Sequence, residues 1–310
     1  MSMPSRRSIY AALAGNVAVG VVKLLAYFLS GSSSMLVESI HSAIDTLNQG
    51  LLLIGQRRGA RPPDDRHPFG YGLEAYFWTF VVALLIFVAG GVAAIYEGIQ
   101  RLLHPMPVEH VPLTLGVLAV CMVFEIVTLV VSMRAAEDGR SGLSRRRLPK
   151  PSLAQFIHFS PDPGVFEVLA EDAASILGLV VAFLGVVGSA WFGWPWADGA
   201  AAVVIGLLLV VLAGVIVAET RSLLTGEAAL PSTVEAARLI FEEDPSVDTV
   251  CEVLSMQLGP DEILMAATLD FNDDMSGPQL EEAADDLTKK LKAADPRITR
   301  VFLRPGRALT

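Results

Sequence analysis

The stretch Met35–Leu53, MLVESIHSAIDTLNQGLLL, is apolar enough to enter a membrane and yet carries ionisable side chains. Its polar members include Glu38, His41, Asp45 and Asn48, at successive spacings of three, four and three residues. Because residues three and four apart lie on the same side of a helix, these four are predicted to line one face. Ionisable side chains within a membrane helix are costly, so this face is a candidate functional site.

Five further apolar stretches surround this one, and together they predict six transmembrane helices. Of the 310 residues 53% are hydrophobic and 18% charged, with a mean hydropathy of +0.52. Soluble proteins carry about 25% charged residues, and a membrane-spanning helix needs about 20 apolar ones. The predicted spans are Ile9–Leu29, Met35–Leu53, Leu73–Gln100, Leu113–Ser132, Val165–Ala190 and Gly199–Val217.

Basic residues occupy alternate connectors between these spans. Arg6 and Arg7 precede the first span, four arginines follow the second, and six Lys or Arg residues follow the fourth. Since positive connectors stay in the cytoplasm, both termini are predicted to be cytoplasmic.

The last third of the chain differs in charge. Residues 1–219 hold 14 Lys and Arg against 16 Asp and Glu, whereas residues 220–310 hold 9 against 17. In the tail, two amphipathic helical segments and three strand-like segments predict the order α-β-β-α-β. We therefore expect an all-α membrane domain over 1–219 and a small cytoplasmic α+β domain, ferredoxin-like, over 220–310. A net charge of −10 argues against nucleic-acid binding.

Two of the predicted spans carry side chains that suit a divalent cation. His41 and Asp45 offer an imidazole nitrogen and a carboxylate oxygen one turn apart, which is half of a tetrahedral zinc site. The fifth span adds Glu167, Glu171 and Asp172, which cannot all ionise together without a cation or water. The alternatives are a metal-free His–Asp pair in the second span and, for Glu167, a helix cap or a position at the headgroup level.

Other ionisable residues give weaker signals. Asp65 and His67, with Asp64 beside them, could form a second metal site in the loop DDRHPFGYG, or the two aspartates could pair with nearby arginines. Lys23 and Glu97 lie alone in their spans; they could pair or reach the membrane surface, and the sequence favours neither alternative.

The motifs SMLVESIHSAID and DDRHPFGYGLEAYFW, the acidic fifth span, the six spans and the α/β tail together resemble the cation diffusion facilitator family. HSAIDTLNQ and VLAEDAASILG resemble the branch that contains the mitochondrial zinc transporter, whose bacterial relatives share these motifs. The resemblance implies a homodimer in a bacterial-type inner membrane that exchanges cytoplasmic metal for protons by alternating access. It also implies that the second and fifth spans build the transport site.

His41 and Asp45 match the family's ligand pair in the second span. In the fifth span Glu171 takes the place of the family's aspartate if Ser175 is aligned with the family's serine, and Asp172 takes it if the residue type is matched. In the loop, Tyr71 stands where the family often has a second histidine.

We expect proton-coupled export of zinc with no permanently bound cofactor. The coupling is expected because metal and protons compete for the same ligand atoms. No GxxxxGK[ST] phosphate loop occurs, which agrees with transport without ATP. A manganese or iron exporter is the alternative, since the fifth span offers oxygen ligands in place of an imidazole. More distant alternatives are a metal sensor that does not transport and an intramembrane metalloenzyme, although the sequence has no HExxH motif. The expected partners are a divalent cation, protons, the lipid bilayer and a second copy of the chain.

Overall fold

The computed structural model describes residues 6–145 and 163–307, with side chains described for 16–134 and 167–307. All six predicted spans lie within long helical stretches. These are α1 (Arg6–Ser30), α2 (Ser33–Gly59), the continuous run of α3 (Leu73–Leu85), a π-helical segment (Ile86–Val92) and α4 (Ala93–Leu103), then α5 (Val111–Arg145), α6 (Pro163–Trp191) and α7 (Ala197–Leu224).

Among the described residues, four helical stretches are long and apolar enough to cross a membrane. They are Leu73–Leu103, Val111–Arg134, Glu167–Trp191 and Ala197–Leu224. The described part of α1, Asn16–Ser30, is apolar but shorter. The helix α2 is less apolar than these four because it carries the polar face described above and two arginines in its last turn. The chain is thus an integral membrane protein.

The described chain forms two compact units. The first holds most of the helices α1 to α7. It consists of the chain up to Gly55 in α2, of Trp78–Met133 and of Glu167–Glu219. The second contains the loop region Gln56–Phe77 together with the tail from Thr220 onward.

Glycines allow α7 to pack directly against the third helical stretch in the first unit. A Cβ atom on Gly98 would lie 2.8 Å from the carbonyl oxygen of Gly199, and one on Gly206 would lie 2.9 Å from that of Gly91. Such contacts bring two helix backbones together, as small residues do at membrane helix interfaces. This glycine seam, Gly91 and Gly98 against Gly199 and Gly206, fixes the position of α7.

The start of α2 is capped by a residue from another helix. Asp198, in the first turn of α7, accepts hydrogen bonds from the backbone amides of Ser33 (2.6 Å) and Ser34 (3.4 Å) and from the Ser32 hydroxyl (2.7 Å). A carboxylate at this position satisfies amides that have no partner within the helix and complements the helix dipole. The Asp198 side chain is buried, so this contact holds the two helix ends together.

The tail has the predicted element order: α8 (Pro231–Glu242), β1 (Val247–Gly259), β2 (Glu262–Phe271), α9 (Gly277–Ala294) and β3 (Ile298–Pro305). The strands lie in the order β1-β2-β3, with β1 antiparallel and β3 parallel to β2. Alternate residues of β2 are buried, as expected for a sheet that has a core on one face. Phe241 of α8, Met265 and Leu269 of β2, and Leu287 and Leu291 of α9 are fully buried in that core.

Candidate cation site

The polar face predicted for α2 is present, and most of it is buried. The side chains of Glu38, His41 and Asn48 are almost inaccessible to solvent. His41 Nδ1 lies 3.6 Å from Asp45 Oδ1, as the spacing of four residues predicted. The face is therefore a set of carboxylate, imidazole and amide groups enclosed by the helices of the first unit.

Glu171 of α6 faces this set. Asn48 Nδ2 donates a hydrogen bond to Glu171 Oε1 at 2.6 Å, and the carboxyl groups of Asp45 and Glu171 lie within hydrogen-bonding range of each other. Two adjacent carboxylates in an apolar surrounding remain ionised only when a cation lies between them; without a cation, one of them takes up a proton. The contact between α2 and α6 thus joins groups that can hold either a metal ion or protons.

The neighbouring carboxylate points elsewhere. Asp172 Oδ2 accepts a hydrogen bond from the Ser132 hydroxyl of α5 at 2.8 Å. Successive residues on a helix are rotated by about 100°, so Glu171 and Asp172 contact different helices. Glu167, one turn before Glu171, is fully buried.

Several polar atoms of the site have no hydrogen-bond partner among the described residues. On the α2 face these atoms are Glu38 Oε1, both ring nitrogens of His41, Asp45 Oδ1 and Asn48 Oδ1. More than about 90% of buried polar groups in proteins are hydrogen-bonded, so five unpartnered atoms on one helix face mark a candidate ligand site. In the parts of the chain with described side chains, however, no three His, Cys, Asp or Glu residues converge as a ready metal cluster. The structure brings the groups together in pairs.

Glu38 of the α2 face is paired with a basic residue from another helix. Lys23 Nζ of α1 donates to Glu38 Oε2 at 2.9 Å, and both side chains are fully buried. Of the alternatives left open for Lys23, a pair forms, but with Glu38 and not with Glu97. Glu97 instead accepts a hydrogen bond from the Ser33 hydroxyl at 2.9 Å.

The loop between α2 and α3 holds its polar groups in a turn. The Asp64 carboxylate accepts hydrogen bonds from the Tyr71 hydroxyl at 2.6 Å and from the backbone amides of Arg66 and His67. The hydrogen bond from Tyr71 is the main cause of a lowered pKa of Asp64. His67 lies 3.6 Å from Asp64 and is half-exposed, and Asp65 is exposed. Tyr71 thus occupies one of the oxygens that a loop metal would need.

Sequence reasoning missed two features around the site. One is the charge partner of Glu38, because a contact between positions 15 residues apart leaves no periodic signal. The other is the π-helical segment Ile86–Val92, where Ile44 Cδ1 lies 3.4 Å from the position of a Cβ on Gly90. The sequence carries no clear signal for this segment, although π-helical turns are frequent at functional sites.

Apolar helices that enclose paired carboxylates, an imidazole and an amide define a class of protein, the membrane proteins that handle a cation and protons in their interior. Residues 9–225 match the family model described as the cation efflux transmembrane domain. The chain belongs to the cation efflux family, as its motifs predicted. The members of this family are transporters and not enzymes, so the metalloenzyme alternative is withdrawn.

Curated relatives extend this result. The chain is 33% identical over 250 residues to "Proton-coupled zinc antiporter SLC30A9, mitochondrial" of Xenopus laevis, covering 81% of this chain and 44% of the relative. It is 29% identical to "Metal tolerance protein C4" of Arabidopsis thaliana, covering 87% and 58%. It is 26% identical to "Cation-efflux pump FieF" of Shewanella oneidensis, covering 95% and 90%. The chain therefore spans less than half the length of the zinc antiporter.

Proposed function

We propose that this protein exports divalent metal, with zinc as the preferred cation, from the cytoplasm in exchange for protons. The observation that carries the proposal is the contact across α2 and α6, where Asp45 and Glu171 face each other beside His41 and Asn48. The relatives named as zinc antiporters and as cation-efflux pumps support it.

The chemistry of these groups provides the coupling. Asp45, Glu171 and His41 bind a metal ion only when they are deprotonated, so the ion and the protons exclude each other. A site that opens to the cytoplasm loads metal there. When it opens to the other side it releases the metal as its carboxyl groups take up protons, and the protonated site returns. The cycle needs no ATP.

The remaining features of the proposal follow from the sequence. Six spans with both termini in the cytoplasm place the tail on the side from which metal is loaded, and the family resemblance supports a homodimer in a bacterial-type inner membrane. Domain limits of 1–219 and 220–310 and a ferredoxin-like tail belong to the same proposal. We assign His41, Asp45 and Glu171 as ligands, and Asn48 as a ligand or as the residue that orients Glu171.

A manganese or iron exporter is the second candidate. The specific observation in its favour is the oxygen-rich ligand set, in which His41 is the only imidazole among the residues that the structure brings to α2 and α6. Carboxylate and amide oxygens suit manganese better than they suit zinc.

The test is uptake of Zn²⁺, Mn²⁺ and Fe²⁺ into proteoliposomes under an imposed pH gradient, for the wild type and for Asp45→Asn. Zinc flux that requires the gradient and is lost in the variant is the expected result. Flux of manganese or iron without zinc would replace the cation and keep the mechanism. Binding without flux of any of them would overturn the proposal in favour of a sensor, and wild-type flux in Asp45→Asn would overturn the site.

A further inference from the structure

The buried ion pair between Lys23 and Glu38 is not used by the transport cycle described above. Its Nζ–Oε2 distance is 2.9 Å, and neither side chain reaches solvent. Removing one member of such a pair leaves an uncompensated buried charge, which is strongly unfavourable. Because the pair lies near the proposed cation site, both of its charges can act on the transported ion.

The pair joins α1 to α2, and its Glu38 member faces α6 about two turns away from the site. Glu38 precedes Asp45 by seven residues on α2, and Gly178 follows Glu171 by seven residues on α6. Seven residues are nearly two turns. Glu38 therefore lies on the same face of α2 as Asp45, and Gly178 on the same face of α6 as Glu171, each about 10 Å along the helix. A Cβ on Gly178 would lie 2.8 Å from Glu38 Oε1, so the glycine makes room for the carboxylate.

Both charges of the pair act on the site. The Asp45 carboxyl lies within electrostatic range of the Lys23 ammonium, which favours its ionised form, and of the Glu125 and Glu38 carboxylates, which oppose it. As long as the pair is intact, the contributions of Lys23 and Glu38 partly offset each other. An unbalanced unit charge about 10 Å from a divalent cation, at an effective dielectric constant of about 20, changes the affinity for that cation by more than about 100-fold.

We propose that Lys23 is a positioning residue that sets the affinity for the cation by keeping Glu38 out of the ligand set and offsetting its charge. Glu38 lies one turn from His41 on the same face of α2 and carries an oxygen, Oε1, without a hydrogen-bond partner among the described residues. With Lys23 in place, the negative charge that faces the ion comes from Asp45 and Glu171. This inference rests on the proposed function, since it concerns the same site.

The test compares Zn²⁺ affinity in Lys23→Gln, Glu38→Gln and the double variant, in the full-length protein at pH about 7.5. Lys23→Gln exposes a carboxylate to the ion and is expected to lower the Kd for Zn²⁺ by about 100-fold. Glu38→Gln leaves the ammonium and is expected to raise the Kd by a similar factor. The double variant is expected to return close to the wild-type value, because its pair is neutral.

Two further variants keep the test decisive. Lys23→Arg preserves the charge, and its Kd is expected to match the wild type. Glu125→Gln, on α5, removes a carboxylate that acts on Asp45 at least as strongly as Glu38 does, and it is expected to raise the Kd at least as much as Glu38→Gln does. A packing role alone would weaken binding in both single variants.

The outcomes separate this inference from the proposed function. Single variants that shift the Kd in the same direction, a double variant that is not restored, or Lys23→Arg behaving as Lys23→Gln would overturn the role of Lys23. Wild-type protein that binds Zn²⁺ but does not transport it would overturn the proposed function and leave the affinity comparison valid.

Discussion

At the scale of single residues, two adjacent carboxylates of α6 differ in what they can do. Glu171 meets Asn48 and Asp45 of α2, whereas Asp172 accepts a hydrogen bond from Ser132 of α5. From the sequence alone both residues could complete the site. The structure brings Glu171 to the α2 face, which is why we propose it as the ligand, and gives Asp172 a contact with α5.

We therefore expect Glu171→Gln to reduce proton-driven Zn²⁺ uptake by more than the 10–100-fold range that is typical for residues behind a ligand. Asp172→Asn, its matched control, keeps a group that can bond to Ser132 and is expected to cause a much smaller loss. Each variant replaces one carboxylate oxygen with an amide nitrogen and removes one negative charge. A difference between their uptake rates therefore reflects where the two side chains lie. Equal losses in the initial rate of uptake would refute the assignment of Glu171.

At the scale of helices, the glycine seam determines how closely α7 approaches the third helical stretch. A Cβ on Gly98 would lie 2.6 Å from the backbone nitrogen of Val203 and 2.8 Å from the carbonyl oxygen of Gly199. Because these are backbone atoms, they cannot move without shifting a helix. Gly116, on α5, has nothing within 4 Å of a Cβ placed there.

This contrast gives a paired prediction. Gly98→Ala forces the helices apart and is expected to destabilise the protein by about 1–3 kcal/mol, the usual effect of overpacking. Gly116→Ala gains helix propensity and is expected to leave stability unchanged or to raise it by up to about 1 kcal/mol. The measurement is the thermal midpoint of tryptophan fluorescence in detergent, since all four tryptophans lie between residues 78 and 196. A midpoint that falls equally in both variants would show that the seam is not tightly packed.

At the scale of the whole molecule, the second unit combines chain segments that are far apart in sequence. A Cβ on Gly72, in the loop before α3, would lie 2.3 Å from the carbonyl oxygen of Leu258 at the end of β1. Phe69 of the same loop contacts Phe302 of β3 edge to face, with ring centroids 6.5 Å apart. The loop that follows α2 is thus packed on the tail, which a reading of hydropathy along the chain does not reveal.

The stability of the tail is expected to depend on pH through Asp244, at the end of α8. Burial raises the pKa of Asp244, but hydrogen bonds from Lys290 and Ser246 outweigh it and bring the pKa below its ordinary value. The lowered pKa means that the ionised carboxylate stabilises the fold above the unfolded pKa of about 3.9. This contribution is lost as the pH falls through the lower pKa of the folded state.

Asp244→Asn is therefore expected to unfold the tail at lower urea concentration at pH 7, with a difference from the wild type that shrinks as the pH falls below the unfolded pKa of about 3.9. The readout is the reactivity of Cys251, the only thiol of the tail, in a full-length Cys121→Ala background. Asp273→Asn, which breaks an exposed pair with Arg307, is the control and is expected to have little effect. A difference that persists at low pH would contradict the role of the Asp244 carboxylate.

Much of the fold could be predicted from local patterns. Apolar runs predicted where all six long helical stretches lie, and alternation predicted the α-β-β-α-β order of the tail. The spacing of His41 and Asp45 predicted their contact on α2. These features depend on residues within one or two turns of one another, so the order of residue types is sufficient.

The sequence by itself determined that this is a membrane protein of the cation efflux family with a polar face on α2. Only the tertiary structure decided that Glu171, and not Asp172, meets that face, and that Lys23 pairs with Glu38. The reason is that helical periodicity fixes the angle between side chains of one helix but not the rotation of that helix against its neighbours. That rotation follows from packing between distant segments, such as the glycine seam and the Asp198 cap, which no local pattern encodes.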